Sequence, residues 1–265
     1  MRIFNKTLSF FLIAVILVAS FAVDPKPVEA TPDITSNLTF HYDFENSGAL
    51  GNDISAANND ATVGTGVAAQ VDGTRGDVAR FTKASAQNYL VTPVNNPTTS
   101  YTQSAWVYIT DAAGNQSIFG IGTASSGNLA YFYVKPSRVV FASNKFGTET
   151  ADTLGTISNN TWYHLVKVYD STAGTLSTYV NGVLWRYSDV SAPAANRVII
   201  GSHGQSTTPS GTSTLSLGGY LDDVRQYSRA LSEEDIQSLY FTESGTAPTP
   251  QNLIAYGIDS SVSLD

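Results

Sequence analysis

Between residues 31 and 242 the chain alternates short runs rich in Tyr, Val, Phe, Ile and Thr with clusters of Gly, Ser, Thr and Asn. An apolar–polar period of two, punctuated by turn residues, predicts strands. The clearest run is 162–168. There Trp162, His164, Val166 and Val168 fall on one face, and Tyr163, Leu165 and Lys167 on the other. The turn 170–174 leads to a second strand at 175–180. Asn181-Gly182 then predicts a tight hairpin into 183–187, because both residues tolerate positive φ. Residues 162–187 thus read as a three-stranded meander. Further strands are expected at 38–45, 78–82, 89–91, 101–109, 116–121, 130–135, 138–143, 197–200 and 220–227. About a dozen strands of this kind fit an all-β, two-sheet antiparallel sandwich.

Helical signals appear near the end. Ser232 and Asp235 form a capping pair, Glu233 and Glu234 occupy the electropositive first turn, and Leu231 and Ile236 have hydrophobic-staple spacing. One short C-terminal helix, from Glu233 to about Tyr240, is expected to close a domain spanning 36–242. Residues 243–250, with Pro248 and Pro250, read as an extended linker. Residues 251–265 carry strand-like segments that resemble the start of a fibronectin type III module. They are too few to fold alone, so the chain is expected to continue in a longer protein.

At the other end, Arg2 and Lys6 precede an apolar run from Leu8 to Val23, and Val28-Glu29-Ala30 offers small residues where a signal peptidase cleaves. Residues 1–30 therefore read as a secretory signal peptide. The competing reading, a membrane anchor, meets a run at the short end of the roughly 17–25 residues a spanning helix needs. No second apolar stretch of that length follows, so no membrane insertion is expected after cleavage.

Composition narrows the chemistry. The absence of cysteine among 265 residues excludes disulfide scaffolds, zinc fingers, thiol nucleophiles and iron–sulfur clusters. A net charge of -8 without a Lys/Arg cluster argues against nucleic acid as a partner. Asn37, Asn115 and Asn159 head glycosylation sequons. The short basic signal and the missing cysteine favour a bacterial exporter, in which those sequons are incidental.

Four ordered blocks carry a family resemblance: Ser104-Ala105-Trp106-Val107, Thr161-Trp162-Tyr163-His164-Leu165-Val166, Tyr179-Val180-Asn181-Gly182, and 219–232 with its core Asp222-Asp223-Val224-Arg225-Gln226-Tyr227. They resemble the laminin-G-like jellyroll domains of the concanavalin A-like superfamily. The resemblance implies a two-sheet jellyroll, a structural calcium ion, and binding of polysaccharide, glycoconjugate or a cell-surface protein by an extracellular module. It places Asp222 where relatives hold calcium. Asp43 is the second expected ligand, if the chain ends pair in one sheet, and a carbonyl of the 73–76 loop would complete the set. The competing reading has Asp222 or Asp223 capping a turn or pairing with Arg225 or Arg229.

Sugar recognition needs an aromatic platform and a few fixed polar groups. Tyr131 and Tyr133 share one strand face, Trp185 and Tyr187 another, and Arg138 flanks the next hairpin; these five are the candidate ligand residues. Packed sheets also bury alternating aromatics, and for each of these residues a place in the core is the stronger of the two readings. Catalysis finds less support. His41-Tyr42-Asp43-Phe44-Glu45 has the alternation of a glucanase strand but a histidine where the first carboxylate would stand, and retaining glycosidases need two carboxyl groups about 5–5.5 Å apart. No nucleophile elbow exists. His164 reads as a buried sheet histidine, and His203 lies in a Gly/Ser/Thr-rich loop at 201–213. A non-catalytic lectin-like module is the leading expectation, and an adhesion or scaffold protein the alternative.

Overall fold

The computed structural model describes residues 31–83, 85, 87–111, 113–121, 130–144, 156–189, 192–193, 196–202 and 215–244. The expected signal peptide, His203, residues 245–250 of the expected linker and the segment 251–265 lie outside the described residues. In chain order the elements are β1 (Leu38–Tyr42), β2 (Thr62–Val63), β3 (Val67–Asp72), β4 (Gly76–Phe81), β5 (Leu90–Asn95), β6 (Tyr101–Ile109) and β7 (Gln116–Ile121). They continue with β8 (Ala130–Val134), β9 (Val140–Ser143), β10 (Trp162–Asp170), β11 (Thr175–Val180), β12 (Val183–Asp189), β13 (Arg197–Ile200), β14 (Gly219–Tyr227) and the helix α1 (Glu233–Ser244). No described helix is long and apolar enough to cross a membrane.

Two antiparallel sheets result. The larger runs β12-β11-β10-β6-β14-β4-β3, with β1 also paired to β14; the smaller runs β2-β5-β13-β7-β8-β9. The expected meander is present as β10-β11-β12, and Asn181 (φ 51°) and Gly182 (φ 77°) make its turn in the left-handed region. β14 changes partner midway. Gly219–Leu221 pair with β4, whereas Val224–Tyr227 pair with β1, and the register slips at Asp222–Asp223 with Asp223 at φ 47°. The chain ends therefore meet in one sheet, and two carboxylates stand at the fork where β4 and β1 part.

The main core lies between the sheets and contains Phe40, Tyr42, Phe81, Val107, Phe119, Phe132, Leu165 and Leu221. Inward positions of β10 are odd-numbered, as the alternation predicts. Lys167 is among them, fully buried, and its Nζ donates to the carbonyl oxygens of Ser143 (3.0 Å) and Tyr131 (3.4 Å).

On the outer face of the large sheet, Val166, Val168, Tyr179 and Tyr227 pack with Leu231, Ile236 and Leu239. That apolar stripe holds α1 down; burial of a leucine such as Leu239 is worth about 1.5–3 kcal/mol. The capping box forms as predicted, Asp235 N donating to Ser232 Oγ and Ser232 N to Asp235 Oδ2, both at 3.1 Å. The helix runs further than predicted, taking in Glu243 and Ser244. The Glu243 carboxylate is anchored under it by Trp106 Nε1 (2.5 Å) and by the Arg225 guanidinium, so these two positions belong to the domain and not to a linker.

Candidate functional site

The β3–β4 turn delivers the centre of the fork. Asp72 Oδ1 accepts from Thr74 N (2.9 Å) and Arg75 N (3.0 Å), and Gly76 follows at φ 82°. This shape carries the Arg75 side chain back over the sheet. Its Nε donates to Asp222 Oδ2 at 2.6 Å and its Nη2 to Asp223 Oδ2 at 2.7 Å. The guanidinium lies 4.1 Å from the centre of the Trp106 ring, a cation–π stack. Asp223 Oδ1 also accepts from Arg225 Nη2 (3.0 Å) and pairs with His41 Nε2 (2.8 Å).

Burial and the adjacent Asp223 charge push the Asp222 carboxyl up to about 7, against the pull of Arg75. For Asp223 burial acts upward as well, but the His41 hydrogen bond, Arg225 and Arg75 outweigh it and hold the carboxyl below the usual carboxylate range.

In this geometry the oxygens expected to hold calcium are engaged within the protein. Asp222 does stand at the place the resemblance indicated, with β1 and the 73–76 loop beside it, but its oxygens are taken: Oδ2 by Arg75 and Oδ1 by the backbone N of Asp223 at 2.9 Å. Calcium asks for six to eight oxygens. Asp43 sits beyond the end of β1, its Oδ1 accepting from Glu45 N at 3.4 Å. Among the described residues no group of three or more His, Cys, Asp or Glu is placed to hold a metal ion. As arranged, these donors do not fit calcium. The glucanase alternation also fails to form, because Phe44 at φ 59° ends the strand geometry before Glu45.

The five expected ligand residues separate. Tyr131 and Tyr133 lie on the face of β8 turned away from the main core, with ring centres 5.9 Å apart edge to face, and Tyr133 contacts Phe141 at 4.9 Å. Both tyrosines are buried, at 7% and 9% exposure. Trp185 packs half-buried against the main core. Tyr187, two residues on, is 61% exposed on the edge strand β12. Arg138 occupies the β8–β9 turn at φ 66° and donates through Nη2 to Asp111 O at 3.3 Å. His164 is fully buried as expected. Its Nε2 pairs with Ser104 Oγ at 2.7 Å, and burial, then the Arg225 and Arg75 charges, bring its pKa down to about 3.

A different set of aromatics forms the open surface. Register pairs Trp162 of β10 with Tyr108 of β6, Tyr108 with Tyr220 of β14, and Tyr220 with Arg80 of β4. These residues share the outer face with Trp106, His164 and Asp222, two positions further along each strand, beyond the layer that α1 covers. The rings form a continuous row. Tyr108 lies 5.4 Å from both Trp162 and Tyr220, with interplanar angles of 54° and 32°. All three are half-buried, presenting part of each ring to solvent. Cross-strand aromatic neighbours of this kind support the sheet and leave a flat apolar strip. Beside Tyr220 a cleft of about 330 Å³ is lined by Arg80, Lys83, Thr110, Asp111 and Gly218, among others. Sequence reasoning located each strand but missed the row, because the pairing register that aligns three rings across three strands is not written in any one of them.

Two antiparallel sheets sharing one core, with the terminal strands joined in the larger, define a jellyroll sandwich. The chain belongs to a laminin G family of the concanavalin A-like lectin/glucanases superfamily, whose model matches residues 83–237, more than half of the chain. No curated protein matches it in sequence.

Among solved structures it is similar to the binding domain of Paraclostridial Mosquitocidal Protein 1, with TM-score 0.60 and 19% identity over 79% of this chain and 53% of that one. It is similar to domain 4 of AbnA, a GH43 extracellular arabinanase from Geobacillus stearothermophilus solved with arabinotriose, with TM-score 0.58 and 20% identity over 77% of this chain and 98% of that one. The binding domain of botulinum neurotoxin DC, solved with rat synaptotagmin II, matches with TM-score 0.58 and 12% identity over 79% and 52%. The chain spans about half the length of the two toxin domains. At these identities the likeness establishes the fold.

Proposed function

We propose that the chain is a secreted, non-catalytic carbohydrate-binding module that recognises extracellular polysaccharide or glycoconjugate through the row Trp162–Tyr108–Tyr220. The observation that carries this reading is the row itself: three partly exposed rings in register on a rigid sheet, with a polar cleft at one end. Saccharide rings present apolar C–H faces that stack on such strips, while a few polar groups fix their orientation. The arabinanase domain solved with arabinotriose supports a glycan ligand for this fold. Residues 1–30 would direct export, and Arg75 would supply at the fork the positive charge that the family resemblance assigns to calcium.

The test is a glycan-array screen of the intact chain, followed by titration of Tyr220→Ala, Tyr108→Ala and Tyr131→Ala variants against any glycan retained. Tyr220→Ala and Tyr108→Ala are expected to weaken binding by roughly tenfold or more, in line with about 1–3 kcal/mol for a stacked ring, with Tyr131→Ala unchanged. Loss with Tyr131→Ala alone would move the site to the smaller sheet.

A second reading is an adhesion module that binds a protein. It draws on the exposed Leu184 and Tyr187 of edge strand β12 and on the neurotoxin domain solved with synaptotagmin.

A further inference from the structure

The aromatic row ends on a positive charge. Arg80 stands opposite Tyr220 in the β4–β14 register and is exposed. Among the described residues its side chain makes no hydrogen bond and no ion pair, unlike Arg75, Arg225 and Arg229, whose guanidiniums are each spent on carboxylates. A free guanidinium on a chain of net charge -8 is not explained by folding. Its surroundings reinforce the sign. Lys83 lines the same cleft, its Nζ held over the carbonyls of Ala113 and Asn115. Arg138 reaches the cleft's Asp111 through that residue's backbone oxygen. Two cations thus line the cleft and a third abuts its wall, with Asp111 the one acidic side chain in the lining. Burial and the Arg138 charge lower the Lys83 ammonium, with Asp111 opposing, so these groups feel one another's field.

We propose that the site selects anionic saccharides, a carboxylate- or sulfate-bearing sugar unit being seated against Arg80 and Lys83 while its neighbours in the chain stack on Tyr220, Tyr108 and Trp162. The inference rests on the carbohydrate-binding reading of the same row and adds the ligand's charge. The chemistry follows from the parts. A guanidinium fork matches a planar carboxylate with two parallel hydrogen bonds, and hydrogen bonds to a charged group are about twice as strong as neutral ones. The cations at the cleft also offset the repulsion that an acidic protein would otherwise present to a polyanion, since the field there is locally reversed.

The experiment compares oligosaccharides of galacturonan, alginate and glucuronan with their carboxyl-reduced counterparts and with a sulfated oligosaccharide, by calorimetry on the intact chain at low and high salt. At least one charged ligand is expected to bind roughly tenfold tighter than its reduced form. That preference is expected to shrink as salt rises and to vanish in Arg80→Gln, while Tyr220→Ala weakens charged and reduced forms alike. Tighter binding of the sulfated ligand with none of the uronates would assign the anion as sulfate.

Equal binding of charged and reduced forms, still lost in Tyr220→Ala, would overturn the charge preference and leave the row as a neutral-sugar platform. Absence of any Tyr220-dependent binding, to charged or neutral glycans, would overturn both. Arg80 is exposed and unpaired, so Arg80→Gln is expected to leave the melting temperature unchanged, and its effect on binding can be read without a folding defect.

Discussion

Arg75 Nε lies 2.6 Å from Asp222 Oδ2, and the two side chains are only 8% and 3% exposed. A buried pair of this kind is held by its geometry, and removing one partner leaves a desolvated charge behind. Arg75→Ala is accordingly expected to destabilise the domain by about 3–5 kcal/mol, measured by urea unfolding. Millimolar calcium is expected to leave the wild-type melting curve in place and to raise that of Arg75→Ala, where the two carboxylates are released from the guanidinium. A calcium-dependent rise in the wild type that Asp222→Ala abolishes would show that the ion displaces Arg75.

Lys167 sets a pH dependence. Burial alone lowers its pKa from 10.5 to about 7, whereas the unfolded chain keeps the proton up to 10.5. Between those values the unfolded state binds more protons, so this group makes stability rise with pH across that window. The contribution is lost as pH falls through about 7. Lys167→Met is expected to flatten the profile and to be the more stable protein at pH 6, by roughly 1–3 kcal/mol. Denaturant midpoints from pH 6 to 9.5 would measure it, and parallel profiles for the two proteins would count against the assignment.

At the start of α1, Ser232 Oγ accepts from Asp235 N while Asp235 also receives Arg229 Nη1 at 2.7 Å and Asp33 N at 2.7 Å. Ser232→Ala removes one arm of the box and is expected to cost about 1 kcal/mol. Asp235→Ala removes the cap, the ion pair and the tie to Asp33 together, and should cost more. Thermal unfolding of the two variants side by side checks the order.

Trp185 and Tyr187 are two residues apart and face very different surroundings. Trp185→Ala opens a hole against the main core and is expected to cost about 3 kcal/mol, near the low end for a buried tryptophan. Tyr187→Ala changes an exposed side chain and should stay within about 0.5 kcal/mol. A glycan affinity that falls with Tyr187→Ala but not with Tyr220→Ala would place the ligand on the edge strand.

Much of the architecture was readable from periodicity. The alternation at 162–168, the Asn181-Gly182 turn and the Ser232–Asp235 cap are local signals, and each forms as expected. β2 and β3 escaped notice. Thr62–Val63 is too short to show a period, and Val67–Asp72 carries Ala and Gln where a strand pattern shows large apolar residues.

The site was far less legible, for a physical reason: binding surfaces are made across strands. Tyr131 and Tyr133 share a strand and could be noticed together, whereas Trp162, Tyr108 and Tyr220 meet through a register fixed by hydrogen bonds between distant segments. The cation at the fork was hidden for the same reason. Arg75 lies 147 positions from Asp222 in sequence, and nothing near either residue announces the other.

The divided pairing of β14 bears on how the protein is made. Its neighbours β1, β4 and β6 all emerge from the ribosome well before residue 219, yet none of the three can complete its hydrogen bonding in the large sheet until Tyr227 has followed. A sheet whose central strand is made last cannot be completed before residues 219–227 have emerged, and long-range pairing of this kind is slow. The same topology that joins the first and last strands keeps the large sheet open until its central strand is in place.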